Sequence, residues 1–198
     1  MYLEALVLGL LIGILRKGRV GHFLSYPFKY RYMALAALFV FVLPYFLQVL
    51  KVPTAYEVFP FISMVILSLV VLLNHKTLGM KMLLAGLLLN LVIIGVNDFK
   101  MPIDTEKLAA TGEAGVVFVN SLESGEILNY RPLTNAAGLS QLLGKVLALP
   151  SWYPFVRILS VGDILSSIGV VLILQQTMMT YRKGDMLHFT FRPGSRRY

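Results

Sequence analysis

The sequence predicts an all-α membrane protein of about five transmembrane helices, with a small α/β extracytoplasmic segment between spans four and five. Five apolar runs separated by charged loops, at 1–15, 33–50, 58–73, 82–96 and 164–179, are the first observation. A chain of 198 residues is too short to bury five such helices in an aqueous core, whereas a bilayer surrounds them with hydrocarbon. Composition is the second. The chain is 57% hydrophobic and 14% charged, against about 45–50% and about 25% in soluble domains, and its mean hydropathy is +0.74. The third is charge sorting. Arg16, Lys17, Arg19, Lys29 and Arg31, then Lys76 and Lys81, then Arg182, Lys183, Arg192, Arg196 and Arg197 fall on alternate loops. Cytoplasmic loops carry such an excess of Lys and Arg.

The net charge of +8 follows from that sorting. It does not point to nucleic acid, because no basic cluster sits in a nucleic-acid-binding pattern. The chain has no cysteine, which excludes disulfides, thiol catalysis and Cys-based metal sites. The organisation that follows is 1–96 for spans one to four, 97–153 for the extracytoplasmic segment, 154–181 for span five and 182–198 for a cytoplasmic tail. The N-terminus is expected outside and the C-terminus in the cytoplasm of a multi-pass protein of the plasma membrane.

Run 1–15 is short for a span and is expected to cross, with a re-entrant piece as the alternative. It is not expected to act as a secretory signal, since Glu4 precedes its apolar stretch and Arg16-Lys17-Gly18-Arg19 follows it. Ala5, Gly9 and Gly13 recur every four residues, a small face that admits a close helix, from this chain or from a partner. Loop 16–32 interleaves Phe23, Tyr26, Phe28, Tyr30 and Tyr32 with Lys29 and Arg31. That pattern suits the headgroup region, or a docking surface for a cytoplasmic partner. In the second span Pro44 should kink the helix. In the third, Pro60 falls near the start, where a missing N–H is harmless. Asn90 lies in the middle of the fourth span, placed either to bond across helices or to line a polar cavity.

In the segment 97–153, Asp104 or Thr105 is expected to cap a short helix through Ala110. The stretches 115–120 and 126–133 read as two strands around a turn at 121–125. A second amphipathic helix is expected from Thr134 or Asn135, with Leu139, Leu142, Leu143 and Val146 on one side. Trp152, Tyr153 and Pro154 mark re-entry at the outer interface. The whole is expected to lie on the outer ends of the spans as a lid or platform.

Asp163 is the chemically most pointed residue. It lies either inside the last span or in that helix's first turn, where a carboxylate meets the positive helix end, with Arg157 or Arg131 as an ionic partner. Gly162 and Ser166 repeat the small-residue spacing. His22, His75 and His188 match no zinc-ligand spacing. No Ser-His-Asp grouping and no phosphate-cradling loop occur. Neither enzymatic activity nor a cofactor or metal is expected.

Asn97 and Met101-Pro102 after a span, then Pro150, then Ser160-Val161-Gly162-Asp163 opening the last span with Gly169 inside it, resemble an uncharacterised family of integral membrane proteins. The family is known as a domain of unknown function, largely from Gram-positive bacteria. Where it carries Asn-Gly-Gly-Arg-Met-Pro, this chain has Asn97-Asp98-Phe99-Lys100-Met101-Pro102. A histidine usual in the middle of its extracytoplasmic segment is replaced here, with Tyr130 as the counterpart. The resemblance implies the architecture and no activity. Two functions stay open. One is an accessory subunit packed into a larger membrane complex with other membrane subunits. The other is a lipid- or quinone-like small-molecule binding or carrier protein. Asp163, Asn90, Asn97, Gly9, Gly13 and Gly162 are the candidate functional or packing residues.

Overall fold

A computed structural model describes residues 2–50, 56–136, 138–149 and 158–179. Helices occupy all five apolar runs: α1 (Tyr2–Leu15), then, after a short α2 (Val20–Leu24), α3 (Arg31–Val49), α4 (Val58–Leu73), α5 (Leu78–Gly95) and, late in the chain, α9 (Val161–Met179). Helices α3, α5 and α9 are long and apolar enough to cross a membrane, which points to a membrane location. Helices α1 and α4 are equally apolar but shorter, at 14 and 16 residues. Large side chains of α1 and α3 face outward: Leu3, Leu15, Phe39 and Phe46 are all more than 60% exposed. Apolar surface on that scale needs a non-aqueous surround.

Glycine spacing builds the core of the bundle. Gly79 and Gly86 on α5, and Gly162 and Gly169 on α9, each stand seven residues apart and make one seam. A Cβ at Gly79 would lie 2.6 Å from Ile173 N, and one at Gly162 would lie 2.7 Å from Gly86 O. The pairing of Gly86 with Gly162, and of Gly79 with Ile173, sets α5 antiparallel to α9. Gly9 meets Val171 and Leu174, and Gly13 meets Met178, so α1 runs parallel to α9. The small face of α1 is therefore used within the chain.

Lys29 N–H donates to Asn74 Oδ1 at 2.9 Å, and the Phe61 and Phe99 rings meet edge-on at 5.0 Å. These contacts place the start of α3 beside the end of α4, and the start of α4 beside the end of α5. Chain direction thus alternates through α1, α3, α4, α5 and α9. The basic loops gather at one end: Arg19 N–H donates to Met178 O at 3.0 Å, and Arg16 Nη1 donates to Gln175 Oε1 at 2.8 Å.

The other end carries β1 (Met101–Ile103), α6 (Thr105–Ala109), α7 (Glu113–Glu123), β2 (Tyr130–Pro132), α8 (Ser140–Leu143), β3 (Leu147–Ala148) and β4 (Ile158–Leu159). Strands β1 and β2 pair in parallel, and β3 and β4 antiparallel. Asp104 caps α6 as expected, its Oδ1 accepting from Lys107 N–H at 3.0 Å.

Two expectations for this segment are corrected. The stretch 115–120 is helical, inside α7. Its β-branched run suggested a strand, yet Phe118, Val119 and Leu122 pack with Leu108, Ile103 and Ile158 at helical spacing. Tertiary packing overrides strand propensity here. Gly115 lets α7 cross directly over Leu108 O, where a Cβ would collide. Of 126–133, only Tyr130–Pro132 is a strand, and its partner is β1. The second amphipathic helix reduces to a 3-10 turn (Leu133–Asn135) and the single turn of α8. Leu139 and Leu142 point outward, while Ser140 is buried. The expected landmarks Pro150, Trp152, Tyr153, Pro154 and Arg157, and the tail from 182, lie outside the described residues.

The turn from α5 into β1 holds Asp98 at φ +53° and Phe99 at φ +62°. Glycine adopts that left-handed region freely and other residues do so at a cost. Asp98→Gly should therefore leave the protein as stable as before, or more stable by up to about 1 kcal/mol. The lost Arg131–Asp98 pair is largely exposed on the aspartate side and contributes little. Thermal melting in mild detergent checks this; a fall of several degrees would mean that the ion pair outweighs the backbone.

Candidate functional site

The site is built where α9 begins against α5. Ser160 is the residue before α9. Its Oγ accepts from Asp163 N–H at 2.9 Å, and Asp163 Oδ2 accepts from Ser160 N–H at 3.2 Å. That reciprocal pair is a capping box with aspartate in the third position. It places Asp163 in the first turn, the shallower of the two depths left open by the sequence, and its carboxylate at the positive helix end.

Asn90 arrives from α5. Its Nδ2 donates to Asp163 Oδ1 at 3.1 Å, and its Oδ1 accepts from Ser160 Oγ at 2.9 Å. Gly162 makes room for that amide, because a Cβ there would strike the Asn90 side chain. Asn90 thus bonds across helices, and it also lines a cavity.

Among the described residues the ionic partner of Asp163 is Lys145, at 2.6 Å; of the two arginines expected, Arg157 lies outside the described residues. Arg131 instead pairs with Asp98 at 3.1 Å. Lys145 follows α8 and is positioned by backbone bonds: its N–H donates to Pro102 O, and its carbonyl accepts from Asp104 N–H. Both partners of the pair are largely buried, with side chains 14% and 11% exposed. Burial alone would push the Lys145 ammonium down. The Asp163 carboxylate, with smaller contributions from Tyr130 and Tyr2, more than offsets it and holds Lys145 above the usual lysine range.

Asn97 lies one layer away, fully buried. Its Nδ2 donates to Ile93 O at 2.7 Å and to Ser140 Oγ at 3.1 Å. It ties α8, and with it the loop bearing Lys145, to the end of α5. Asn97 is therefore a positioning residue, and so are Gly9 and Gly13, which seat α1 and bring Tyr2 towards Ser166, Asp163 and Lys145.

A cleft reaches this network. Its polar end, about 280 Å³, is lined by Tyr2, Asn90, Asn129, Tyr130, Lys145 and Asp163. An apolar recess of about 420 Å³ adjoins it, lined by α3, α4 and α5 side chains such as Ala34, Leu38, Leu67 and Leu87. Tyr2, Phe41, Pro60 and Met64 line both, so the two are one cleft with a polar head and an apolar flank. Among the described residues, no group of His, Asp and Glu side chains converges to hold a metal. His22 and His75 sit against the carbonyls of Met178 and Leu72, far apart along the chain.

Sequence reasoning found Asp163, Asn90 and Gly162 but missed Lys145, Ser160's hydroxyl and Tyr2 as parts of one site. A Ser-x-x-Asp pattern ahead of an apolar run was the available signal for the cap. Nothing local marked Lys145, which arrives by tertiary pairing.

A family model described as a family of unknown function, DUF5317, matches residues 25–175. Comparison with curated proteins found no match. Comparison with solved structures found none either.

Proposed function

This chain belongs to the DUF5317 family, whose function is unknown, and from the geometry of its cleft we propose that it binds a lipid-like amphiphile within the membrane. One observation carries the reading: a polar, hydrogen-bonding head region joins a larger apolar recess through shared walls. A water-soluble ligand would have no use for the recess, and a pure hydrocarbon none for the head. The role is that of a binding or carrier protein rather than an enzyme.

In the bilayer all five long helices cross, with α1 and α4 accommodated by local thinning and by flanking aromatic and basic side chains. The alternating helix directions support that arrangement. The end bearing Arg16, Lys17, Arg19 and Lys29 faces the cytoplasm of a plasma membrane. The described part of the segment between α5 and α9, which contributes Met101, Asn129, Tyr130 and Lys145 to the lining, lies at the outer mouth of the cleft. The accessory-subunit reading is less supported, because the small-residue faces of α1 and α9 are occupied by each other and by α5.

Ala34→Trp tests the reading by filling the recess from α3. Protein purified in mild detergent should yield about one tightly held amphiphile per chain on solvent extraction. The variant should lose most of it while keeping the yield and monodispersity of a folded protein. Equal recovery from both proteins, or none from either, would overturn the proposal.

A further inference from the structure

We infer that the head of the cleft takes an uncharged, acceptor-bearing group, a carbonyl or hydroxyl as in a quinone or a diacylglycerol, and rejects a phosphate. This inference rests on the amphiphile reading above and specifies its ligand.

Charge comes first. Lys145 and Asp163 are the charged side chains lining the head, and they face each other at 2.6 Å. The site is therefore close to neutral. A phosphate entering it would gain one ammonium already paired and meet one carboxylate, after losing its own hydration.

Hydrogen-bond polarity comes second. The Asp163 oxygens are occupied, Oδ1 by Asn90 and Oδ2 by Lys145 and Ser160 N–H. Asn90 Oδ1 is likewise taken by Ser160 Oγ. Among the described residues, donors remain: an ammonium carries three N–H and a primary amide two, and one from each of Lys145 and Asn90 points at Asp163. The phenols of Tyr2 and Tyr130 and the amide of Asn129 complete the wall. A charge-balanced wall whose carboxylate is already engaged, and whose ammonium, amides and phenols still offer donors, matches a ligand oxygen carrying no charge. The wall beyond it, Phe41, Phe61, Phe99 and Met101, is apolar and suits a ring or acyl chain.

The test uses full-length protein in detergent and four probes: decylubiquinone, 1,2-dioctanoylglycerol, dioctanoyl phosphatidic acid and dioctanoyl phosphatidylglycerol. Native mass spectrometry or a melting-shift titration reads the affinities. At least one neutral probe should bind at least about tenfold tighter than both phosphate-bearing ones; whichever does identifies the source of the head. Asp163→Asn, which leaves the Lys145 charge unanswered, should narrow or reverse that preference. Phosphate probes binding wild-type protein as well as the neutral ones would overturn the inference while leaving the amphiphile reading intact. Failure of all four probes, together with a bare protein on extraction, would remove both. If Asp163→Asn does not fold, the wild-type ranking alone decides.

Discussion

Gly86→Ala should cost about 3 kcal/mol or more, and Gly86→Leu should prevent the protein from accumulating in the membrane. A Cβ at Gly86 would lie 2.5 Å from both Gly162 O and Ser166 N. These are backbone atoms of α9 and cannot swing aside as a side-chain tip would. Overpacking of a tight interface typically costs about 1–3 kcal/mol, and the upper end applies because relief requires separating two whole helices. Separation would also pull Asn90 from Asp163 and Ser160, so the polar cluster and the seam fail together.

Gly95→Ala is the matched control. It lies near the end of the same helix, and among the described residues its Cβ would meet only the Phe61 ring at 3.6 Å, ordinary contact. It should be neutral or slightly stabilising, since alanine is the better helix former. Yield and melting temperature in mild detergent separate the two outcomes. Equal tolerance of Gly86→Ala and Gly95→Ala would show that the α5–α9 seam is looser than these distances.

The contrast shows what the sequence carries and what it does not. All five runs became helices, because apolar length is a local property and each run satisfies its backbone internally. The spacing of Ala5, Gly9 and Gly13 was legible, but the sequence left its partner open between this chain and another protein. The seven-residue spacings of 79/86 and 162/169 were equally visible, yet they acquire meaning only once α5 and α9 are placed antiparallel. In the segment between α5 and α9, local signals misled. Val116, Val117 and Val119 have strand propensity, and the Leu139/Leu142 pattern reads as an amphipathic helix. The first is overruled by packing on Leu108 and Leu122. The second leaves Leu139 and Leu142 exposed among the described residues, and the buried residue there is Ser140, held by Asn97. Arg131 was misassigned to Asp163 for the same reason: Lys145, 18 residues away, looks no better in sequence, yet β3–β4 pairing brings it in while Arg131 turns to Asp98.

Lys145→Met should be the second most damaging change at the site. Methionine matches the stem of lysine, so packing is largely preserved and the loss is electrostatic. It strands the Asp163 carboxylate in a buried setting, and breaking such a pair from one side costs about 3–5 kcal/mol. The bonds from Asn90 and Ser160 N–H remain, which puts the expectation at the lower end, about 3 kcal/mol. Lys145→Met combined with Asp163→Asn removes both charges and should recover most of that loss. Alkaline pH tests the same coupling without mutation. Lys145 is held above the usual lysine range in the folded protein, so its contribution is complete below the ordinary lysine value and disappears as pH rises through the higher folded one. Wild-type melting temperature should fall in that alkaline window, and the double variant should lack this component. A double variant no more stable than Lys145→Met alone would show that the lysine acts through its stem and its backbone position, with the ion pair incidental.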